Sequence, residues 1–208
     1  MIGLIDYGMG NLHSVAKALE KVGGKVDLVK DADAIKNYER IVLPGVGAFR
    51  DCMQTLRETG MADALTATIA TGTPFLGICL GMQVLMTRSY EFGVHAGLGL
   101  IEGEVKAFPD LLIEQGFKIP HMGWNDVVLP QGNEHIVLKN TAGQQVYYVH
   151  SYYCAPRNPE HLLAACSYGS YPFAAAVGKD NILGVQFHPE KSQQAGLSLL
   201  EGFIGWKP

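Results

Sequence analysis

GTPFLGICLGMQVLM, residues 72–86, is an apolar run that reaches Cys79 and changes character within two glycines. The residues before the cysteine read as a buried strand, and those after it as a helix. G-I-C-L-G, residues 77–81, has the G-x-nucleophile-x-G spacing of a nucleophile elbow, where strand passes directly into helix through a strained turn. The glycines leave room where backbones crowd, and the turn lifts the central side chain above the sheet edge. The spacing also predicts Cys79 at a helix amino terminus, whose dipole and unpaired N–H groups favour the reactive thiolate. Cys79 is therefore a candidate nucleophile rather than the small buried hydrophobe that a free cysteine usually is.

Around this stretch, short Ile/Val/Leu-rich runs alternate with segments of 3.6-residue period, the pattern of βα units on a parallel sheet. IGLID (2–6) reads as the first strand. NLHSVAKALEKVGG (11–24) follows as a helix, with Asn11 placed to cap it and Gly23 and Gly24 to end it. KVDLV (25–29) and RIVLPG (40–45) are the next strands, the latter terminated by Pro44, and helix is predicted across 48–72 before PFLGI (74–78). From about residue 90 the chain turns to Gly-rich loops and alternating or aromatic strands: GEVKAF, DVVL, QVYYVHSYY, LLAACSYG, FAAAVG and NILGVQF. This half reads as partly antiparallel, and AGLSLLEGFIGW (195–206) closes as an amphipathic helix. No repeat or linker divides the halves. The expectation is a single α/β domain over 1–208, with an open mixed, mainly parallel sheet flanked by helices.

Composition narrows the function classes. The chain has 208 residues, 16 basic against 20 acidic, and a formal charge of −4 with no long run of either sign, so nucleic acid and anionic membranes are disfavoured partners. MIGLIDYGMGN lacks a basic n-region and meets Asp6 early, unlike a signal peptide or a membrane span, which points to the cytoplasm. Cys52, Cys79, Cys154 and Cys166 form no C-x-x-C pair and are expected to be free thiols. No metal-ligand spacing is visible, and no cofactor is expected. Gly8 and Gly10 begin a G-x-G-x-x-G, but His13 stands where its third glycine would be, so the dinucleotide fingerprint fails.

A cysteine nucleophile needs a base, and the base an orienting group. GVQFHPEKS (184–192) supplies both. His188 follows an apolar strand and precedes Pro189, which places it at a strand end, and Glu190 can return its carboxylate to the imidazole. His150, at the end of VYYVH, is the rival base. PGVGAF (44–49) follows the third strand and is positioned to aim backbone N–H groups at a reacting carbonyl. Val46 and Leu80 are the expected oxyanion donors, each worth roughly 3 kcal/mol of transition-state stabilisation.

P-G-V-G, G-I-C-L-G-M-Q and H-P-E, in that order across most of the chain, together resemble the class I, triad-type glutamine amidotransferases. The resemblance implies a flavodoxin-like core and a glutaminase. Cys79 would attack the side-chain amide of glutamine, ammonia would leave with a proton from His188, and water would hydrolyse the thioester. It further implies that Gln83, Glu91 and the glycines Gly45 and Gly47 of the oxyanion loop serve glutamine, with backbone contacts from Ser151 and Tyr152. DYGMGN (6–11), PHMGWN (120–125) and HPEKS (188–192) resemble, more narrowly, the glutaminase subunits of imidazole glycerol phosphate synthases of histidine biosynthesis. In that family a separate (β/α)8-barrel cyclase subunit forms a heterodimer with the glutaminase and receives its ammonia. The chain ends soon after H-P-E, which agrees with an acceptor site on another protein.

Asn11, His121, Met122, Trp124, Asn125, Tyr147 and Lys191 are the expected partner-facing residues. Residues 120–125 are read as a Gly/Pro-bounded loop, either presenting aromatic and thioether surface to a partner or tucked onto the core. Lys191 is either a partner's salt bridge or a solvated lysine. Two other readings stay open: a different enzyme on a similar elbow, such as the glutaminase subunit of another ammonia-using synthase (that of vitamin B6 synthesis, for example) or a γ-glutamyl hydrolase, and a non-catalytic partner-binding scaffold.

Overall fold

The structure, a computed structural model, describes residues 1–130 and 135–208. In chain order its first half runs β1 (Ile2–Ile5), α1 (Leu12–Lys21), β2 (Val26–Val29), β3 (Arg40–Gly45), α2 (Phe49–Glu58), α3 (Met61–Ala70), β4 (Phe75–Cys79) and α4 (Leu80–Gln83). The second half runs β5 (Met86–Ser89), β6 (His95–Ala96), β7 (Ile101–Ala107), α5 (Leu111–Glu114), β8 (His121–Asp126), β9 (Gln145–His150), β10 (Tyr152–Pro156), β11 (Leu162–Tyr168), β12 (Tyr171–Lys179), β13 (Ile182–Val185) and α6 (Gln193–Gly205).

The main sheet has seven strands in the order β11-β12-β13-β4-β3-β1-β2. Strands β2, β1, β3, β4 and β13 are mutually parallel, and β12 and β11 run antiparallel at one edge. The expected open, mixed, mainly parallel sheet is therefore what the chain builds. Side-chain alternation feeds two apolar layers. Ile41 and Leu43 of β3 pack with Phe49, Met53 and Leu65 of α2 and α3, while Val42 packs with Val15, Leu19, Leu199 and Phe203 of α1 and α6.

Local chemistry sets the element ends. Gly23, at φ +87°, donates its N–H to Glu20 O, and the Gly24 N–H reaches Leu19 O, which closes α1 in a Schellman pair as its glycines predict. At the other end Asn11 accepts from Val15 N through its backbone carbonyl, and its side chain makes no cap hydrogen bond, so the predicted side-chain cap is absent.

Three stretches depart from the expected elements. PHMGWN is a strand rather than a loop: β8 pairs antiparallel with β9, His121 opposite His150 and Asn125 opposite Val146. Its alternation was hidden because polar His121 and Asn125 take the inward positions and apolar Met122 and Trp124 the outward ones. DVVL forms no strand of its own: Asp126 ends β8, opposite Gln145, and Val128 makes an isolated bridge to Ala165. QVYYVHSYY breaks at Ser151 into β9 and β10, which belong to different sheets.

Candidate active site

At the elbow, Cys79 sits at φ 56°, ψ −109°, a backbone state few non-glycine residues hold. A Cβ on Gly81 would lie 1.9 Å from Leu43 O, and one on Gly77 2.4 Å from Gly81 O, so both positions exclude any side chain. The helix after Cys79 is a single turn before Val84 and Leu85 lead into β5, where a longer helix was expected. A four-residue helix carries little macrodipole, so the local N–H groups and the neighbouring side chains dominate the field at the sulfur. Gly45 stands opposite Cys79 in the parallel pairing of β3 and β4, which sends the 46–48 loop and Leu80 away from the sheet side by side.

Val46, Gly47, Cys79, Leu80, Gln83, Glu91, Ser151, Tyr152 and His188 share one cavity of about 360 Å³, with Phe92, Pro120, Val149 and His150 completing its wall. His188 Nδ1 is 2.9 Å from Glu190 Oε1, and both side chains are buried. Burial works against the imidazolium, but the adjacent Cys79 sulfur and the Glu190 carboxylate overcome it and raise the His188 pKa above its ordinary value. His188 Nε2 makes no hydrogen bond to the protein and is the nitrogen available for proton transfer. The imidazole is also held from its backbone: Ser192 Oγ donates to His188 O at 2.6 Å and accepts from Tyr147 N at 2.9 Å, while His188 N donates to Tyr147 O. Sequence reasoning passed over Ser192, and its spacing four residues after His188, where a hydroxyl can reach back to a carbonyl, was the available clue.

The rival base is excluded by its partners. His150 Nδ1 lies 2.8 Å from Tyr152 O, an acceptor, so Nδ1 carries the proton and Nε2 accepts from His121 Nδ1 at 3.1 Å. Asn125 Nδ2 then donates to His121 Nε2 and to Ser167 O. Burial pushes His150 down to about 3 and His121 to about 4, so both rings stay neutral in this chain of bonds. His121 is buried and Asn125, half-buried, turns its amide to it, so two of the seven side chains expected to face a partner bond within the protein.

Gly45, expected at the substrate, is instead buried outside the cavity wall, where a Cβ would meet Leu80 Cβ and the Tyr7 hydroxyl at 2.8 Å, so it supports the elbow. Ser151 and Tyr152 line the cavity as expected, while the Tyr152 carbonyl accepts from both His150 Nδ1 and Gln83 Nε2 and Ser151 O accepts from Phe108 N. Glu91 reaches the cavity, and its Oε2 also accepts from Phe49 N at 2.6 Å, capping α2 directly after the glycine loop. On the outer face, Met122 and Trp124 are 65% and 44% exposed, the Trp124 and Tyr147 ring centroids are 6.2 Å apart, and Lys191 Nζ lies 5.6 Å from the Tyr147 ring. Asn11 is half-buried beside Gly10, which packs near Pro44. The thiols other than Cys79 are raised by burial, Cys52 and Cys166 to about 12, so none competes as a nucleophile. Among the described residues no group of three His, Cys, Asp or Glu is placed to hold a metal ion, and no helix is long and apolar enough to cross a membrane.

The pattern of the family "Glutamine amidotransferase class-I" matches residues 3–205, and the chain belongs to that family. It is a glutamine amidotransferase, with the glutaminase activity of that class. It is 48% identical to the imidazole glycerol phosphate synthase subunit HisH of Geobacter sulfurreducens over 97% of each chain. It is also 48% identical to the protein of that name from Acinetobacter baylyi, over 99% of this chain and 98% of that one. Among solved structures, PurLQS from Thermotoga maritima superposes with a TM-score of 0.74 at 17% identity, covering 98% of this chain and 97% of the other. The glutaminase domain of Trypanosoma brucei CTPS with bound acivicin gives 0.65 at 16%, covering 100% and 94%. These likenesses establish the shared fold.

Proposed function

We infer that this chain is the glutaminase subunit of an imidazole glycerol phosphate synthase, acting as one catalytic domain. The end-to-end 48% identity to relatives of that name carries the reading. Relatives matched over their whole length also weigh against the glutaminase of another synthase, and a triad around an open cavity weighs against a scaffold.

In this reading the Cys79 thiolate attacks the side-chain carbonyl carbon of glutamine. The tetrahedral oxyanion is met by the N–H groups of Val46 and Leu80, both on the cavity wall. His188, oriented by Glu190, protonates the departing nitrogen, so ammonia leaves and a γ-glutamyl thioester remains. The imidazole then takes a proton from water as the hydroxyl oxygen attacks the thioester carbon, and glutamate and the Cys79 sulfur are released. Gln83 and Glu91 hold the glutamine.

Ammonia passes to a (β/α)8-barrel cyclase subunit in a cytoplasmic heterodimer. The exposed Met122 and Trp124, with Tyr147 and Lys191 beside them, form the docking surface, because aromatic and thioether groups raised on a strand suit a protein contact better than water. The test is trapping with an electrophilic glutamine analogue and mapping the adduct by mass spectrometry. Modification of Cys79 and its absence in Cys79→Ala are expected. An adduct elsewhere with turnover retained in Cys79→Ala would remove the assignment.

A further inference from the structure

Gln186 is fully buried between β13 and His188, and nothing in its sequence setting singles it out. Its Nε2 lies 3.7 Å from the Cys79 sulfur, and its Oε1 lies 3.1 Å from Gln83 Nε2. Which end of each amide faces which neighbour follows from hydrogen-bonding capacity. The Tyr152 carbonyl only accepts, so the Gln83 atom 3.0 Å from it must be the NH₂ group. That NH₂ group also faces Gln186 and needs an acceptor there, which turns the Gln186 oxygen toward Gln83 and its NH₂ toward the sulfur.

The Tyr152 carbonyl is itself held, since His150 Nδ1 donates to it at 2.8 Å. Reversing the Gln186 amide would set two NH₂ groups against each other at Gln83 and turn the Gln186 oxygen toward the sulfur, in an interior without competing solvent. That arrangement forfeits a buried hydrogen bond and adds a repulsion.

We propose that Gln186 is a thiolate-holding residue: its side-chain N–H donates to the Cys79 sulfur, and Gln83, anchored on the Tyr152 carbonyl, locks the amide in that direction. This rests on Cys79 being the nucleophile. A donor aimed at sulfur favours the anion over the thiol and fixes the sulfur's position for attack. The other titratable groups around the sulfur are His188 with Glu190 behind it, the Tyr7 hydroxyl, the Cys154 thiol and Glu91 across the cavity. Burial keeps Tyr7 and Cys154 protonated, so His188 is the cation and Gln186 the neutral donor that act on Cys79.

Alkylation of the full chain by iodoacetamide from pH 5 to 10, mapped by mass spectrometry, reads the thiolate without requiring turnover. In the unaltered protein the label is expected to concentrate on Cys79; a label that ignores Cys79 would count against the nucleophile itself rather than against Gln186. In Gln186→Met, of similar length without the N–H, labelling at pH 7 is expected to fall about tenfold, the counterpart of one pH unit in thiolate availability, and to recover at high pH. Loss of access or of packing would instead slow labelling at every pH and would overturn the proposal, as would an unchanged profile. Should Gln186→Met fail to fold by circular dichroism, Gln83→Leu decides. It leaves Gln186 in place but frees its amide to turn; a several-fold slowing at pH 7 that recovers at high pH is expected, and an unchanged rate or a slowing at every pH would overturn the proposal.

Discussion

Gly45 and Cys79 face each other across adjacent parallel strands, and Gly81, two residues past the cysteine, presses its Cα toward Leu43 O so closely that a Cβ would stand 1.9 Å from that oxygen. Backbone meets backbone here, so neither side can yield as a flexible side chain would. Gly81→Ala is therefore expected to destabilise by at least about 4 kcal/mol, a fall of roughly 10 °C in Tm for a chain of this size. Calorimetry checks this, and a variant as stable as the parent would mean the elbow relaxes more than its geometry allows.

Glu190→Gln keeps the shape of the side chain and removes the charge that supports the imidazolium. The amide can also present N–H to His188 Nδ1 and stabilise the wrong tautomer. Glutamine turnover is expected to fall roughly 10³- to 10⁴-fold in kcat with little change in KM. Loss confined to KM would assign Glu190 to substrate binding instead.

Ser192→Ala strands two groups at once, His188 O without its donor and Tyr147 N without its acceptor. A buried unsatisfied group costs about 1–3 kcal/mol, so unfolding by urea should show a loss of that order or greater. A drop in kcat larger than the change in KM should accompany it, because the hydroxyl clasps the residue proposed to transfer the proton. Stability and turnover that both match the parent would refute the clasp.

Glu91 holds the first turn of α2 through Phe49 N, and the oxyanion loop lies immediately before that turn. Glu91→Ala is expected to lower stability by about 1 kcal/mol through the lost cap, and to raise KM for glutamine as well. Glu91→Gln, which keeps an acceptor, should recover most of the stability. An equal loss in both variants would point to charge rather than capping.

The histidines give stability a defined pH dependence. Burial lowers His121, His135 and His150, so between their folded values and the ordinary histidine range near 6.5 the unfolded chain binds more protons, and stability falls as pH drops through that window. His188 has the opposite sign: its raised value makes its contribution complete below about 6.5 and lost as pH rises through the folded value. Urea unfolding from pH 5 to 9 should show a maximum near neutrality, and His150→Phe should flatten the acid limb. A monotonic rise from 5 to 9 would contradict the His188 assignment.

Much of this protein is local and was legible. Apolar runs mark the central strands because a strand covered on both faces has no polar side, paired glycines end α1, and G-I-C-L-G marks the elbow because two crossings there admit no Cβ. Sequence alone therefore determined the α/β class and the parallel core, and it singled out the candidate nucleophile and the H-P-E segment. Only the folded chain decided the rest. It made residues 121–126 a strand with two polar side chains turned inward, removed His150 from contention, gave Glu91 a cap to hold and brought Gln186 to the sulfur. Each of these is a hydrogen bond between residues far apart in the chain. A polar side chain's partners depend on which donors and acceptors the tertiary structure sets within 3 Å or so of it, and no local pattern encodes that distance.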